Sequence, residues 1–581
     1  MRDRGPRPPL KPKPRGLRVP ATLLVMAALA TYLLLALPMV LRAPFHADDF
    51  IFLERTRSAP FAWLWQTADV PFGYYRPWSR EFSFWLLQRL FGARELPFHL
   101  TALGLFLGTL AMFHALARRL AGPLAAVAAT FGVAAMAAWG TLLIWPSGLQ
   151  DLWMYAFGMA AILCVSRGRI VLAAVGTALA LLSKESALVL PAIAAAYVVV
   201  IERRNPFQAL WRTAPLWGVT AGWTFLHPLV AGRLYHHAAA APADATAWIN
   251  PLAGSLLLQA AASMVNLDAP LHPTLRWLAV AQDALRPMAV LVIPALIVAL
   301  RSGRRPAAAR RTEVPPGRLI AFGVAWAILG WLPLLQPPLT WHAYYGLFGA
   351  LGAWLALGCL LSRARWALAP VLGAMVVLAA AQALTPSLDL GTAFYQIRAS
   401  NFVLMTRTFL LAQDPVPPPH SRIFLAQVPG AVGLIPWDQR SIAPQIWTGD
   451  TTLSMYYVSR YQPRTPGDSL GKDVLFSYDN GRGWQSQLID VPTAASPPEI
   501  VQQYATFLWS IGRPADARTQ FLRLAQQYPA EWAAAFNLGS CYLQMGDSAQ
   551  ALRWYERAAS LPGAPDKLKL TAERVRRARA R

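Results

Sequence analysis

The sequence predicts a mainly α-helical protein in which a polytopic membrane domain of about eleven spans precedes a soluble region that ends in helical repeats. Three observations support this fold class. First, 55% of the 581 residues are hydrophobic and only 14% are charged, whereas soluble domains are about 25% charged. Second, uncharged apolar runs recur through residues 21–384. Third, two similar segments near the C-terminus begin at glycines 34 residues apart.

The net charge of +24 is better explained by membrane topology than by nucleic-acid binding. Much of it lies in basic blocks that flank apolar runs, as the positive-inside rule predicts. These blocks occupy residues 2–18, 202–204 and 301–311. The three cysteines show neither metal-ligand spacing nor a disulfide framework. We therefore expect a lipid bilayer, and no nucleic acid, among the partners.

Residues 21–41 form the first apolar run, which is longer than the ~7–15-residue core of a signal peptide. We interpret it as the first span, preceded by a basic cytoplasmic tail at 1–20. Further candidate spans lie at 97–117, 123–145, 151–165, 170–184, 186–201, 211–230, 287–300, 318–337, 342–361 and 366–384. The stretch 251–267 is a twelfth span or an interfacial helix. An odd number of spans completes a membrane domain at 21–385 and places the loop at 42–95 and all residues after 386 on the outer face.

The first outer loop, residues 42–95, carries two adjacent carboxylates, Asp48 and Asp49, just after the first span. Its many aromatic residues favour the headgroup layer, so we expect the loop to rest on the bilayer. Asp48 or Asp49 is suited to act as a general base or to bind a divalent cation; the alternative is a helix cap. Arg76 and Arg80 in the same loop are suited to phosphate recognition or to pairing with lipid headgroups.

The order of short motifs along the chain points to a family. An outer "DD" follows the first span, then come "YYRP", "LFGARELPFHL", "WPSGLQDLW" at 145–153 and "LLSKES" at 181–186. This order resembles the polytopic C-type glycosyltransferases, the GT-C superfamily, and within it the transmembrane O-mannosyltransferase-like group that carries tetratricopeptide repeats, with its bacterial relatives. The resemblance implies a GT-C-like fold, a polyprenyl-phosphate sugar donor and a catalytic carboxylate in the first outer loop.

Carried over by motif, the resemblance implies roles for individual residues. Asp49, or its neighbour Asp48, matches the catalytic base, and Arg76 matches the family's "RP". Asp151 matches an acidic position after the third span, and the pair Lys184 and Glu185 matches a "KE" at a span junction. The donor's phosphate would gain from cations. The candidate phosphate-binding residues are Arg76, Lys184 and His342, and Asp151, Glu185 and Arg80 are further site candidates.

These site residues also have structural interpretations, which the sequence leaves open. Lys184 and Glu185 are alternatively an ion pair at a span end, Asp151 an acid favoured by a helix N-terminus, and His342 one of the interfacial aromatics of "LTWHAYYG". Where the family tends to show an acidic–basic pair before the tyrosines, this chain has Trp341 and His342. The sugar is therefore not identified by the resemblance.

No metal site and no cofactor is predicted. His227, His236 and His237 lie in or near the next outer loop, without acidic partners at a ligand-like spacing. A divalent cation at the acids of the first loop is left open.

The composition changes after residue 386, where prolines and polar residues increase and no long apolar run remains. Residues 391–413 predict a helix, 422–428 a strand, and 473–490 two strands around an Asn480–Gly481 turn. We expect a small mixed α/β domain on the outer face over residues 386–496.

Residues 497–581 predict tetratricopeptide-like repeats. Gly512 and Gly546 are 34 residues apart, which is the tetratricopeptide period, and Ala517 and Ala551 match across it. Because two repeats are fewer than the usual minimum of about three, we expect them to lean on the neighbouring domain or on a protein partner. The alternative is a generic helical tail.

The sequence therefore predicts an enzyme, a membrane glycosyltransferase that moves a sugar from a polyprenyl-phosphate donor to a protein or glycan acceptor. The composition is typical of a GC-rich bacterium, which predicts the periplasmic face of an inner membrane. The alternative is a non-enzymatic membrane scaffold whose repeats gather a complex for envelope or polysaccharide assembly. A polysaccharide polymerase or ligase is less favoured, since its key residues would be expected in a large late outer loop.

Overall fold

The computed structural model of the chain describes residues 39–68, 73–228, 249–268, 314–336, 340–430, 433–435, 440–464 and 470–580. Most of the predicted first span, all of the candidate span at 287–300, His236 and His237 lie outside the described residues. The chain divides into two compact units. We call Met1–Ala43 with Arg55–Arg398 the membrane unit, and Pro44–Glu54 with Ala399–Arg581 the soluble unit.

Helices make up the membrane unit. Helix α1 (Asp49–Arg57) begins in the soluble unit and ends in the membrane unit. A 3₁₀ turn (Phe61–Trp65) and a π-helical turn (Pro77–Phe82) follow. The next helices are α2 (Ser83–Phe91), α3 (Glu95–Ala121), α4 (Pro123–Ala134), α5 (Ala138–Ile144), α6 (Leu149–Ser166), α7 (Ile170–Leu181), α8 (Leu190–Val200), α9 (Pro206–Leu226), α10 (Ala253–Ser263), α11 (Pro316–Trp331), α12 (Leu347–Leu361) and α13 (Arg365–Leu384). Helix α14 (Ala393–Leu411) begins in the membrane unit and ends in the soluble unit.

Within the described residues, five helical segments are long and apolar enough to cross a membrane. They are Glu95–Ala121, Pro146–Ser166, Pro316–Leu335, Ala343–Leu361 and Arg365–Leu384. The pair α4 and α5, bent by 62°, makes a sixth if it is counted as one broken span. All six coincide with predicted spans, which confirms a helical integral membrane protein. The total of eleven stays a prediction, because Ile170–Leu181 and Glu185–Val200 are shorter apolar helices.

The break between α4 and α5 is stabilised by one buried side chain. Asn266 Oδ1 accepts the backbone N–H of Ala137 at 2.8 Å, and its Nδ2 donates to the carbonyl oxygens of Ala135 and Met375, both at 2.9 Å. A helix break within a membrane leaves backbone groups that water cannot reach. Asn266 supplies these hydrogen bonds from a position that is 1% exposed.

Helix α12 lies at the centre of the membrane unit, and all of its residues are buried. Small residues let α11 approach it closely. A Cβ atom at Gly323 would lie 2.7 Å from the carbonyl oxygen of Gly352, and one at Gly330 would lie 2.6 Å from the Cα atom of Gly349. Glycine seams of this kind allow membrane helices to pack by close backbone contact.

The soluble unit combines a small sheet with a run of helices. Its further elements are β1 (Arg422–Ala426), α15 (Ala443–Thr448), β2 (Ser454–Tyr457), β3 (Asp473–Asp479), β4 (Gly483–Leu488), α16 (Pro498–Ser510), α17 (Pro514–Gln527), α18 (Trp532–Gln544), α19 (Ser548–Ser560) and α20 (Lys567–Arg579). The strand order is β2-β1-β3-β4, with β1 parallel to both of its neighbours and β4 antiparallel to β3. The predicted strand at 422–428 and the predicted strand pair around Asn480–Gly481 are confirmed.

The repeats pack on the sheet of the same unit. Residues of β1 and β3 share one hydrophobic cluster with α16, α17 and α18. At its centre the Tyr461 and Phe507 rings lie edge to face, with centroids 4.9 Å apart. Gly512 and Gly546 have φ angles of +79° and +83°, which favour glycine at helix ends. The expectation that two repeats need a neighbouring domain therefore agrees with the structure.

Candidate active site

The membrane unit buries a cluster of charged side chains between the π-helical turn, the start of α6 and the segment before α8. Two hydrogen bonds fix the turn against that segment. The backbone N–H of Trp78 donates to the carbonyl oxygen of Leu182 at 3.1 Å, and the Ser79 hydroxyl donates to that of Ser183 at 2.7 Å. Residues far apart in the sequence are thereby brought to one place.

Arg76 is the first cation of the cluster. Its Nε and Nη2 donate to Glu185, with the shortest distance 2.6 Å from Nη2 to Oε2, and its Nη1 donates to Gln150 Oε1 at 2.7 Å. The guanidinium also lies over the Tyr74 ring, 4.6 Å from its centroid. Burial alone would lower the pKa of Arg76, but the facing Glu185 carboxylate outweighs this effect and raises it. Arg76 is therefore a permanent cation.

Lys184 is the second cation. Its Nζ donates to both carboxylate oxygens of Asp151 at 2.6 Å, and it lies 5.2 and 5.0 Å from the ring centroids of Tyr344 and Tyr345. Asp151 lies in the first turn of α6, where the helix dipole favours an acid. The position in the first helical turn agrees with the structural interpretation of Asp151, and its role in a site stays a prediction.

The interpretation of Lys184 and Glu185 as an ion pair with each other is wrong. The two residues are adjacent in sequence, but Lys184 pairs with Asp151 and Glu185 pairs with Arg76. Lys184 has an extended backbone, in which successive side chains point to opposite sides. Each side chain therefore finds a different partner.

His227 joins the first pair from the end of α9. Its Nε2 lies 3.2 Å from Glu185 Oε1 and 3.3 Å from the backbone nitrogen of Tyr75. The ring is 1% exposed and packs on Trp223, with centroids 4.7 Å apart. In the part of the chain that the structure describes, no three His, Cys, Asp or Glu side chains are grouped to hold a metal ion.

His342 lies beside the second pair. Its Nδ1 is 2.8 Å from Asp389 Oδ1, and its ring stacks on Tyr344 with a centroid separation of 5.6 Å and an interplanar angle of 7°. Asp389 Oδ1 also accepts the backbone N–H of Gly391 at 2.8 Å. A Cβ atom at Gly391 would lie 2.9 Å from His342. Only glycine therefore permits this close approach without a shift.

Arg80 is placed differently from the other cations. Its side chain is 2% exposed, and it donates to Glu81 at 2.7 Å and to the carbonyl oxygen of Tyr74 at 2.9 Å. Burial lowers the pKa of Arg80, and the Glu81 carboxylate opposes this effect. These contacts favour a role in shaping the loop that presents Arg76.

Asp48 and Asp49 belong to the soluble unit. Asp49 is fully buried, and its Oδ2 accepts the backbone N–H of His46 at 2.9 Å. Asp48 is half-buried. Asp49 is the first residue of α1, and the N–H that it accepts belongs to His46, three residues before that helix, whereas a cap accepts N–H groups of the helix itself. The capping and the catalytic interpretations of Asp48 and Asp49 both stay predictions.

An aromatic surface in the membrane unit is built partly from residues next to the charged cluster in the sequence. Its seven rings contact one another in a chain with centroid separations of 5.1–6.3 Å. They belong to Phe61, Trp65, Trp78, Phe82, Trp85, Trp153 and Phe157. Trp78 directly follows the turn proline after Arg76, so the surface extends to the cluster. All seven side chains remain partly exposed.

Sequence reasoning missed three residues of the site. Gln150 was not selected although it precedes Asp151, Asp389 was not linked to His342, and His227 was weighed only as a metal ligand. An acid 47 residues after His342 carries no local pattern. The "GLQDLW" motif contained the signal for Gln150, since two polar residues open an otherwise apolar helix.

Comparison with known proteins gives one family match. Residues 505–565 match the tetratricopeptide repeat family model, which confirms the predicted repeats. No curated protein matches the chain.

Two solved structures are similar to the chain. ArnT from Cupriavidus metallidurans bound to undecaprenyl phosphate has 13% sequence identity and a TM-score of 0.47, and the alignment covers 82% of this chain and 100% of that one. The apo state of the same ArnT has 16% identity and a TM-score of 0.37, with 79% and 94% covered. Similarity at this level does not assign an activity to this chain.

Proposed function

We propose that this chain is a membrane glycosyltransferase that transfers a sugar from a polyprenyl-phosphate donor to an acceptor at the outer face of a bacterial inner membrane. The observation that supports it most strongly is the pair of buried cations beside a partly exposed aromatic surface, in a unit built of membrane helices. A lipid-linked sugar phosphate presents these two chemistries, an anion and an apolar chain.

The cations retain donors for a phosphate. A guanidinium has five N–H groups and an ammonium has three. Among the described residues, the hydrogen bonds of Arg76 to Glu185 and Gln150 occupy three, and those of Lys184 to Asp151 occupy two. Two N–H groups on Arg76 and one on Lys184 remain. Both side chains are 10–15% exposed, so a ligand can reach them.

The paired carboxylates set the net charge of the cluster. Arg76 and Lys184 carry two positive charges, and Glu185 and Asp151 carry two negative ones, which makes the cluster formally neutral. A neutral cluster holds its cations in place before the donor arrives, so little reorganisation is needed when charge develops on the leaving phosphate. A single unpaired buried cation would be far more costly to maintain.

The acceptor must lose a proton when its oxygen or nitrogen attacks the sugar. Asp49 is the proposed base, and its neighbour Asp48 is the alternative at the same motif. Removing a positioned general base typically slows a reaction 10²–10⁴-fold.

Transfer by the full-length protein in lipid vesicles, with labelled polyprenyl-phosphate sugars, tests this function. Asp49→Asn keeps an oxygen that can accept the His46 N–H, so it removes the charge with little local disturbance. We expect wild type and Asp48→Asn to transfer sugar and Asp49→Asn to lose at least 10²-fold in rate while still binding donor. No transfer by wild type, with no binding of undecaprenyl phosphate, would overturn the enzyme hypothesis.

The tetratricopeptide match favours one second function, a scaffold that gathers envelope proteins. It predicts that Asp48→Asn and Asp49→Asn both behave as wild type in cells. It also predicts that disruption of the repeats abolishes the protein's contribution to envelope assembly. The vesicle assay separates the two functions, because a scaffold transfers no sugar.

A further inference from the structure

His342 and Asp389 form a histidine–carboxylate pair outside the two ion pairs. The role inferred for this pair rests on the proposed function. We propose that Asp389 fixes the ring of His342 so that Nε2 accepts a proton from the sugar acceptor. His342 is then a catalytic residue and Asp389 a positioning residue. This assigns the base to the membrane unit in place of Asp49. The two assignments are alternatives for one proton, and the kinetic variants below decide between them.

The hydrogen bond of Nδ1 decides what Nε2 can do. An ionised carboxylate is an acceptor only, so in the neutral imidazole the 2.8 Å contact to Asp389 requires the proton on Nδ1. Nε2 then carries a lone pair. In the part of the chain that the structure describes, Nε2 makes no hydrogen bond, and the His342 side chain is 20% exposed. The lone pair is therefore available to a ligand.

The carboxylate is itself held by its surroundings. Asp389 Oδ1 accepts the Gly391 N–H at 2.8 Å, and the Asp389 backbone N–H donates to the Ser387 hydroxyl at 3.1 Å. The carbonyl oxygen of Gly391 accepts the buried Thr141 hydroxyl at 2.7 Å, which ties the loop to α5. These hydrogen bonds hold the side chain and the backbone of Asp389 in place. Asp389 can therefore orient the ring of His342, as a third group orients the base in other catalytic sites.

The ring contacts link the pair to the phosphate-binding candidates. His342 stacks on Tyr344, and Lys184 lies over the rings of Tyr344 and Tyr345. Among the described residues, the titratable and charged groups that face His342 are Asp389, the two tyrosines and, through their rings, Lys184. His342 and Lys184 thus contact the same two tyrosines, so a donor whose phosphate reaches Lys184 would lie close to His342.

The reaction balances without a further reactant. The acceptor oxygen or nitrogen forms a bond to the sugar's anomeric carbon as the bond from that carbon to the phosphate oxygen breaks. The bonding electrons leave with the phosphate, which the N–H groups of Arg76 and Lys184 stabilise. The acceptor's proton passes to Nε2 of His342, and the resulting imidazolium faces Asp389 until it releases the proton to water.

A spectroscopic test is independent of transfer activity. Solid-state ¹⁵N NMR of the full-length protein in lipid, labelled at histidine and assigned with His342→Gln, reports which ring nitrogen carries the proton. We expect the Nδ1–H tautomer in wild type and its loss in Asp389→Ala. A resting Nε2–H tautomer in wild type would overturn the proposal.

Kinetic variants test the role itself. We expect His342→Gln to lower kcat at least 10²-fold, Asp389→Asn to lower kcat about 10-fold with KM unchanged, and Asp389→Glu to recover part of the loss. Asp566→Asn, at an exposed acid of the soluble unit, is the matched control and should behave as wild type. If His342→Gln keeps the wild-type kcat while Asp49→Asn loses it, the proposal is wrong and the glycosyltransferase function stands. If wild type transfers nothing, both are wrong.

Discussion

Removing Arg76 alone should destabilise the membrane unit more than removing the whole ion pair. In Arg76→Met, the Glu185 carboxylate loses three hydrogen-bond contacts and keeps the neighbouring His227 nitrogen at 3.2 Å. Its side chain is only 17% exposed, so water replaces the guanidinium poorly. Breaking one partner of a buried pair typically costs about 3–5 kcal/mol, whereas replacing both is often neutral.

The two variants therefore separate a charge effect from a packing effect. Using an unfolding entropy of ~2 cal/mol/K per residue, a loss of this size lowers the midpoint of the membrane unit by about 4–6 °C. Arg76→Met/Glu185→Gln should recover most of that loss. The measurement is thermal unfolding of the full-length protein in one detergent, with Arg167→Met, at an exposed arginine, as the control.

One outcome would refute this reasoning. If the double variant is as unstable as Arg76→Met, the guanidinium acts through packing or through Gln150, and Glu185 is not its essential partner. Equal stability of all variants and wild type would show that the pair is hydrated and energetically neutral.

Three further predictions concern other parts of the chain. Lys184→Met should weaken binding of undecaprenyl phosphate about 10-fold, measured by native mass spectrometry, and Lys184→Met/Asp151→Asn should restore stability but not binding. Gly539→Ala should lower the stability of the repeats by about 1–3 kcal/mol in thermal unfolding, because its Cβ would lie 2.9 Å from the Tyr555 ring. Burial raises the pKa of the Cys541 thiol to about 11, so at pH 8 about one thiol in a thousand is ionised and peptide mapping should show little alkylation until the protein unfolds.

The sequence predicted best what is encoded locally. The paired strands around Asn480–Gly481 follow from a turn signal between alternating residues, and the repeats follow from a 34-residue period. In both cases, the residues that form the pattern lie in the element that they predict or within a few residues of it. The apolar runs predicted the five described spans, and the bent pair of α4 and α5, for the same reason, because a bilayer sets the length of a helix that crosses it.

Four members of the charged cluster were predicted from the sequence, but their pairing was not. Arg76, Asp151, Lys184 and Glu185 were selected by motif, and the structure brings all four together. Their pairing was not predictable, since Arg76 and Glu185 are 109 residues apart and adjacent residues take different partners. Pairing depends on how helices pack, and no local pattern records that.

Binding of undecaprenyl phosphate compared with undecaprenol tests the central claim most directly, because the two lipids differ only in the phosphate. The full-length protein in nanodiscs would be titrated with each lipid, as wild type and as Arg76→Met/Glu185→Gln. We expect wild type to bind the phosphate at least 10-fold more tightly than the alcohol, and the double variant to lose that preference while keeping its fold. Equal affinity of wild type for both lipids would contradict the assignment of Arg76 and Lys184 to a phosphate-binding site.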